Sequence, residues 1–299
     1  MNKRNEIEKI VSSLEYFCNN SYLLVSKFRE NIAKSDDDEE FAIAQCILQI
    51  AVCRIQSLLK LSSGICIVPN RKEISLLEPT SMVAILRSLY ELVFIFRNIY
   101  IMTDNAYERR ILLNIWQIRG YNNRQSQKAI PKKEEFRSEY SKKQEEDKLH
   151  IEELKKAIEQ NLTTLNITNG AKSQIRKIMN SGSSAINGYK FEKTNEVISS
   201  FSKISLTDSP EYLYENHELD IIYPLLSMYT HPSYLSVLQF GQMFNNNYNE
   251  DLLMTILKSA CLLNVRIIHD FCQFIPVCQE YYKDIGTNDI VELLKIIGI

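Results

Sequence analysis

The chain has 299 residues, 45% of them hydrophobic, and a formal net charge of −2. This length and apolar content exclude the disordered class and allow one large domain or two smaller ones. The near-neutral charge gives no whole-molecule electrostatic case for a nucleic-acid or anionic-membrane partner. With only eight glycines and seven prolines, the composition favours helices over strand-rich or glycine-loop folds.

Seven cysteines, an odd number without a C-x-x-C pair, are typical of reduced thiols in a cytoplasmic protein. Cys46 and Cys53 lie seven residues apart in an apolar run, and we expect both to be buried. The N-terminal residues have no signal-peptide core, and the most apolar window, 82–102, contains three charged residues that a bilayer would disfavour. We therefore predict a cytoplasmic protein without membrane contact. The abundance of Ile, Asn and Lys favours an AT-rich bacterial source.

Helical spacing of apolar residues continues through the first 123 residues. The predicted helices in this part cover residues 5–33, 38–63, 80–102 and 105–123. Thr80 and Asp104 are the expected N-caps of the third and fourth helices, because their side-chain oxygens can accept N–H groups of the first turn. The segment 65–79 between the second and third helices is expected to be a connection.

The chain changes character after residue 131. Seventeen of the 28 residues from 132 to 159 are charged, eight basic and nine acidic, and Glu139 and Lys143 have the i,i+4 order that supports an exposed helix. We predict a charged helical arm or insertion over 132–165, mostly a solvated face. The segment 166–207 is polar and punctuated by glycines, so we expect an irregular segment of loops with one or two short helices.

In the last third of the chain, prolines mark predicted helix starts. Ser209 followed by Pro210 is typical of a helix start, with Ser as N-cap and Pro at the first helical position. A long helix over 249–274 and a short one over 288–297 complete the prediction. No period-2 strand pattern is convincing. We therefore predict an all-α fold, a multi-helix bundle that forms a single domain over 1–299 with one charged, projecting helix.

Several chemical signatures are absent from the sequence. No glycine-rich nucleotide-binding loop, no G-x-S-x-G elbow and no H-E-x-x-H zinc motif occurs, so we expect no cofactor and no metal. Asp147 and His150 have a spacing that could chelate a metal on one helix face. They lie in the charged segment, where such pairs arise by chance.

The stretch LLSMYTHPSYLSVLQF, residues 225–240, holds the most informative histidine. His231 precedes Pro232, which pushes its backbone out of the helical region, so one helix ends here and another begins at the proline. The dipole at that N-terminus favours the neutral imidazole, which can act as a base. Ser227 lies one turn earlier on the same face, and Ser233 adds a hydroxyl next door.

A second polar group lies in the apolar helix ILRSLYELVFIFRNIY, residues 85–100. Arg87 and Glu91 are four residues apart and face each other across one turn. Charges on an apolar helix are rarely buried unless paired, so we expect an ion pair that can meet the Ser–His pair of the later helix. Tyr90 is a further polar candidate beside them.

R-x-x-x-E in a long apolar helix, followed far downstream by S-x-x-x-H-P-S, resembles a widespread, uncharacterised bacterial family of all-helical proteins. That family is loosely grouped with abortive-infection and HEPN-like defence proteins. Within roughly 40–275, the matching residues are Arg87, Glu91, Ser227, His231, Pro232 and Ser233. The resemblance implies a helical fold and a role in antiviral defence, without fixing an activity. One feature departs from the usual HEPN nuclease site, since no histidine here has an Arg four to six residues upstream.

Two interpretations without chemistry stay open for these residues. In the first, the Arg–Glu pair bonds Ser227 and His231 and only fixes how two helices dock. In the second, the protein is a defence component that binds a partner or ligand, with Ser227, Ser233 and Tyr90 as ligand-binding residues. The expected partners are a second copy of the chain, another protein or RNA.

The third interpretation is an enzyme, a toxin that cleaves RNA without a metal. His231 would be the general acid and base, Arg87 would hold the phosphate, and Glu91 would orient either of them. The sequence leaves the choice between enzyme and binding protein open. The missing upstream Arg and the near-neutral charge favour binding, whereas polar residues clustered at a helix N-terminus favour catalysis.

Overall fold

The computed structural model describes residues 3–32, 39–68, 74–127, 133–213, 222–230, 234–246 and 248–285. Helices hold 78% of these residues, so the predicted all-α, multi-helix fold is confirmed. His231, Ser233 and the predicted helix over 288–297 lie outside the described residues.

The described residues form eleven helices and two antiparallel hairpins. In chain order they are α1 (Lys3–Ile32), α2 (Glu39–Ser62), β1 (Ile65–Ile67), β2 (Ile74–Leu76), α3 (Thr80–Tyr100), α4 (Ala106–Gln125), α5 (Glu134–Thr164), α6 (Asn169–Met179), β3 (Gly188–Thr194), β4 (Val197–Ile204), α7 (Pro210–Leu213), α8 (Ile222–Thr230), α9 (Tyr234–Asn246), α10 (Tyr248–Phe274) and α11 (Pro276–Ile285).

The chain divides into two compact units. Unit 1 comprises Met1–Arg97 and Thr207–Ile299, and unit 2 comprises Asn98–Leu206. The single domain over 1–299 stays a prediction, and each unit is described by itself.

The core of unit 1 forms where α1 packs against α2 and α10. The ring of Phe271 on α10 lies 5.8 Å from that of Phe28 on α1 and 6.1 Å from that of Phe96 on α3. Beside these rings, the buried hydroxyl of Ser21 donates to the Asn264 Oδ1 atom at 2.7 Å. Apolar burial therefore joins α1, α2 and α10, and the Ser21–Asn264 hydrogen bond links α1 to α10.

Within the described residues, two helices of unit 1 are long and apolar enough to cross a membrane, by length and composition alone. They are α2 and the Asn249–Phe274 part of α10, and their most apolar windows are 44% and 56% buried within the fold. Core helices of soluble proteins pass the same test, so this finding is weak evidence for a membrane span.

The outer face of α2 carries two thiols that the sequence had placed inside. Cys46 and Cys53 are exposed, which corrects the prediction of burial. The buried face of α2 is formed instead by residues such as Ile47, Leu48 and Ile55. Apolar residues surround the whole helix, so its sequence does not show which side meets the core.

The start of α4 is capped one residue later than predicted. Asn105, not Asp104, accepts the N–H groups of Tyr107 and Glu108 with its side-chain oxygen, both at 3.0 Å. The Asp104 carboxylate pairs with Lys193 instead. Thr80 is likewise not the N-cap of α3 but its first helical residue, and its N–H donates to the capping carboxylate of Glu78 at 2.9 Å.

In unit 2 the charged helix α5 packs along α4. Part of its apolar surface is buried, with Ile158 fully covered and Ile151 8% exposed, whereas Phe136 and Leu149 are exposed. Asp147, considered above with His150 as a metal pair, is buried and bonded to the Arg124 guanidinium, with Nε and Oδ2 2.6 Å apart. The rest of α5 presents mostly exposed charges, in keeping with its composition.

The segment 166–207, predicted to be irregular with one or two short helices, contains the short helix α6 and, in addition, the β3–β4 hairpin, which was not predicted. The hairpin closes at Asn195 and Glu196, whose φ angles of 51° and 62° form the two-residue type of turn with positive φ at both positions. A register shift at Glu192 and Lys193 disturbs the strand pairing. This bulge interrupts the period-2 pattern, which is why the sequence did not show the strands.

Candidate functional site

The predicted polar residues of unit 1 meet between α3 and α8. Apolar packing fixes the two helices there, since Tyr90 of α3 is fully buried and Tyr223 of α8 is 5% exposed. Their rings lie 5.2 Å apart, inclined by 37°. The same face of α3 carries Arg87 and Glu91, one turn apart, next to the Tyr223 hydroxyl.

Arg87, Glu91 and Tyr223 are joined by mutual hydrogen bonds and are here called the α3–α8 cluster. The Arg87 Nε atom donates to Glu91 Oε1 at 2.9 Å, and the Tyr223 hydroxyl donates to the same oxygen at 3.2 Å. The Arg87 Nη2 atom lies 3.3 Å from the Tyr223 hydroxyl oxygen, which accepts from it. The predicted ion pair is thus present, with the two side chains 21% and 22% exposed.

The protonation states of the α3–α8 cluster follow from its burial and its charges. Burial is the largest single influence and opposes the charge on Arg87, but the hydrogen bonds and charges of Glu91 and Tyr223 together outweigh it, so the pKa of Arg87 is raised. Burial, aided by the Glu91 charge, also raises the pKa of Tyr223. At neutral pH Arg87 is therefore a cation, and Tyr223 keeps the proton that it donates.

Tyr90, predicted to bind a ligand, is sealed inside unit 1. Its hydroxyl lies 2.8 Å from the Ser209 hydroxyl, in a buried hydrogen bond. Ser209 precedes α7, which begins at Pro210 as predicted. Tyr90 therefore anchors the start of α7 to α3, and its geometry is that of a structural residue.

A second guanidinium, which sequence reasoning did not include, lies beside the α3–α8 cluster. The Arg54 Nη1 atom of α2 donates to the Ser88 carbonyl of α3 at 2.7 Å. Burial lowers the pKa of Arg54, and the nearby Glu91 charge opposes that effect. The Glu91 charge thus acts on two guanidinium groups, and these three side chains together carry one net positive charge.

Ser227 lies on α8, one turn after Tyr223, and is partly exposed. Its side chain makes no hydrogen bond within the part of the chain that the structure describes. His231 and Ser233, the remaining predicted site residues, fall in the undescribed segment 231–233. Of the six predicted site residues, the structure therefore joins Arg87 and Glu91 by hydrogen bonds, with Tyr223 as a link that the sequence analysis did not assign to the site.

A further polar cluster of unit 1 joins α3, α7 and α10. Arg97 donates from Nε to the Tyr212 carbonyl at 2.6 Å and from Nη1 to Asp270 Oδ1 at 2.7 Å. The His269 Nδ1 atom lies 3.4 Å from the same carboxylate oxygen. The signal was available in the sequence, because Arg97 and Asp270 are charged residues within apolar helices.

No group of three or more His, Cys, Asp or Glu side chains that could hold a metal ion occurs among the described residues. The chain matches no protein-family model, and no curated protein or solved structure is similar to it.

Proposed function

We propose that this chain is a bacterial cytoplasmic protein of antiviral defence that acts by binding a protein partner, in the first place a second copy of itself. The resemblance through Arg87, Glu91, Ser227 and His231 supports the defence role. The observation that carries the binding role is the apolar face of α9. A binding protein needs such an exposed surface, whereas an enzyme needs an uncommitted catalytic group.

Five large apolar side chains of α9 are exposed. Their exposed fractions run from 39% to 79%, and they are Tyr234, Leu235, Val237, Leu238 and Phe240. Soluble monomers rarely show contiguous apolar patches of this kind, and such patches mark interaction sites. The surface formed by these five side chains is here called the α9 face.

The composition of α9 favours a second copy as the occupant of the α9 face. The helix, YLSVLQFGQMFNN, contains no charged residue. Two copies related by a twofold axis present the same patch to each other, so a charged patch would meet its own charge. An uncharged apolar patch avoids that repulsion and buries its area on both sides.

The α3–α8 cluster supports binding over catalysis. Glu91 and Tyr223 already occupy Arg87, so an incoming phosphate would compete with a carboxylate 2.9 Å from Nε. Charge-assisted pairs of this kind are among the stronger hydrogen bonds in proteins. The cluster thus has the geometry of a clasp between α3 and α8.

The mass of the protein in solution tests the proposal. We expect twice the chain mass by light scattering after size-exclusion chromatography, and the single-chain mass for Val237→Glu. Leu149→Glu is the matched control, because Leu149 on α5 is 62% exposed against 63% for Val237. This control should keep the wild-type mass. A single-chain mass for the wild type, or a dimeric Val237→Glu variant, would refute the second-copy occupant.

One observation favours the alternative of a metal-independent RNase toxin with His231 as general acid and base. Arg54 and Arg87 together exceed the charge of Glu91, so the patch could attract a phosphate. Expression of the wild type, Arg87→Ala and His231→Ala in a bacterial host separates the two functions. Arg176→Ala is the matched control, because Arg176 is also paired with a glutamate, Glu159, at 2.7 Å.

We expect intact cellular RNA in all four strains, because binding needs no turnover. RNA fragments that appear with the wild type and with Arg176→Ala, but not with folded Arg87→Ala or His231→Ala, would establish the RNase instead. Circular dichroism and thermal melting of each purified variant show which ones are folded.

A further inference from the structure

Unit 2 contains a cavity that none of the predicted site residues lines. Its volume is about 310 Å³, and its walls come from α4 and from the segment that follows α6. Trp116, Arg119 and Gly120 face it from α4, and Ser184 and Ile186 from the other side. This volume is at the lower end of the range of small-molecule sites, roughly 300 to 1,000 Å³.

The guanidinium of Arg119 is held by neutral oxygens alone. Its Nη1 atom donates to the Ser181 hydroxyl at 2.9 Å and to the Ser183 carbonyl at 2.7 Å. Its Nη2 atom donates to the Ile178 carbonyl at 3.1 Å and to the Tyr189 hydroxyl at 3.2 Å. An arginine has five N–H donors, so four are used. The fifth, on Nε, is buried and has no acceptor in the structure as described.

The positive charge of Arg119 is equally uncompensated. Its side chain is only 7% exposed, and no carboxylate pairs with it in the part of unit 2 that the structure describes. The carbonyl of Ile178 lies at the C-terminal end of α6, where the helix dipole offers only a partial negative charge. A buried cation without a counter-charge is costly, and an anion beside it would remove that cost.

The local backbone is built to keep Arg119 in place. Gly182 has a φ of 63°, a left-handed conformation that turns the chain directly after α6. This turn lies between Ser181 and Ser183, which both accept from the guanidinium. The guanidinium that lacks a counter-charge is therefore held in place at the cavity wall, which is how binding sites keep specific groups ready.

We propose that this cavity is a binding site for a small aromatic anion, whose charged group pairs with Arg119 and whose ring packs against Trp116 and Ile186. Trp116 offers a large flat face, and its indole N–H makes no hydrogen bond within the described part of unit 2. Stacking on an aromatic face gives affinity for a flat ring, and the guanidinium selects for a negative charge. The anionic group is a carboxylate or a phosphate. This site is independent of the function proposed for unit 1.

Two residues in the cavity wall make the site testable: Trp116 gives a fluorescence signal, and a substitution at Gly120 can fill the cavity. Trp116 is the only tryptophan among the 299 residues, so emission excited beyond the tyrosine absorption comes from the cavity wall alone. A Cβ atom placed on Gly120 meets no atom within 4 Å. Gly120→Leu therefore puts a side chain into open space at the cavity and also removes a helix-disfavouring glycine. Gly241→Leu on α9 is the matched control, because a Cβ atom at Gly241 likewise meets nothing within 4 Å.

Titration of the full-length protein with sodium benzoate and with adenosine monophosphate, followed by Trp116 emission, tests the proposal. We expect a saturable change in Trp116 emission with at least one of them. Whether benzoate or adenosine monophosphate gives this change shows whether the site prefers a carboxylate or a phosphate. Benzamide, the neutral analogue of benzoate, should bind about tenfold more weakly, because it lacks the negative charge that the Arg119 cation attracts. For the phosphate, adenosine is the neutral analogue, with the same expectation.

Gly241→Leu should titrate as the wild type does, and Gly120→Leu should lose the response while its far-ultraviolet circular dichroism is unchanged. The proposal is overturned if neither anion gives a saturable change with the wild type. It is also overturned if a folded Gly120→Leu variant binds as well as the wild type, or if the neutral analogue binds as tightly as its anion.

Discussion

The Nη1 atom of Arg97 lies 2.7 Å from Oδ1 of Asp270, a carboxylate with no solvent exposure. The same guanidinium donates to the Tyr212 carbonyl at 2.6 Å, so one side chain of α3 holds both α7 and α10. The second carboxylate oxygen of Asp270 is buried without a hydrogen-bond partner among the described residues. Asp270 therefore depends on Arg97 for its charge balance.

We expect Asp270→Asn to lower the free energy of unfolding by about 3 kcal/mol, because it breaks a buried ion pair and leaves the guanidinium without its counter-charge. Urea unfolding followed by circular dichroism measures the change. Asp251→Asn is the matched control, on the same helix, in a pair with Lys3 that is also 2.7 Å long but half-exposed. Asp251→Asn should lower the free energy of unfolding by only a small fraction of the decrease expected for Asp270→Asn. Equal losses for the two variants would show that the burial of Asp270 has no energetic weight.

We expect Tyr223→Phe to lower the free energy of unfolding by about 1 kcal/mol, because Glu91 loses the hydroxyl that donates to it at 3.2 Å. The same urea experiment measures it. Tyr212→Phe is the control, since the Tyr212 hydroxyl makes no hydrogen bond in the described part of the chain. This variant should unfold as the wild type does. If Tyr223→Phe were as stable as Tyr212→Phe, the α3–α8 cluster would not be a clasp.

Thiol counting distinguishes the two sets of cysteines. Cys46, Cys53 and Cys66 are exposed, and Cys18, Cys261, Cys272 and Cys278 are buried. A chromogenic disulfide reagent at neutral pH should modify three thiols rapidly in the native protein and seven in urea. Burial raises the pKa of Cys261 to about 12, which further slows its reaction because the thiolate is the nucleophile. Rapid reaction of more than three thiols in the native protein would contradict the packing around α10.

Stability should fall at alkaline pH because of the same buried thiols. A cysteine has an ordinary pKa of 9.0, and burial raises that of Cys261 to about 12 and that of Cys278 to about 11. The contribution of each thiol is complete below pH 9 and is lost as the pH rises towards the folded pKa, because only the unfolded chain releases the proton. By about pH 10, each of these buried thiols should have lowered the free energy of unfolding by roughly 1.4 kcal/mol.

Urea unfolding at about pH 8 and pH 10 checks this pH dependence. Cys261→Ala should lose less stability between the two values than the wild type, and Cys46→Ala, at an exposed site, should lose as much as the wild type. Indistinguishable pH dependence in the two variants would mean that Cys261 is not protected from ionisation.

The sequence by itself determined the long helices and their ends. The predicted ranges 38–63 and 249–274 agree with α2 and α10 within one residue, because apolar periodicity and end signals are local properties. It also determined the Arg87–Glu91 pair, since two opposite charges four residues apart on an apolar helix have no better partner than each other.

Only the tertiary structure decided which distant groups meet. Tyr223 reaches Glu91 across 132 positions, and Asp270 reaches Arg97 across 173, separations that no local pattern encodes. The β3–β4 hairpin escaped prediction because its bulge and its Asn195–Glu196 turn depend on strand pairing. The cavity at Arg119 could be identified only from the tertiary structure. The cost of a buried charge without a counter-charge exists only once α4 and the chain after α6 have excluded water from it.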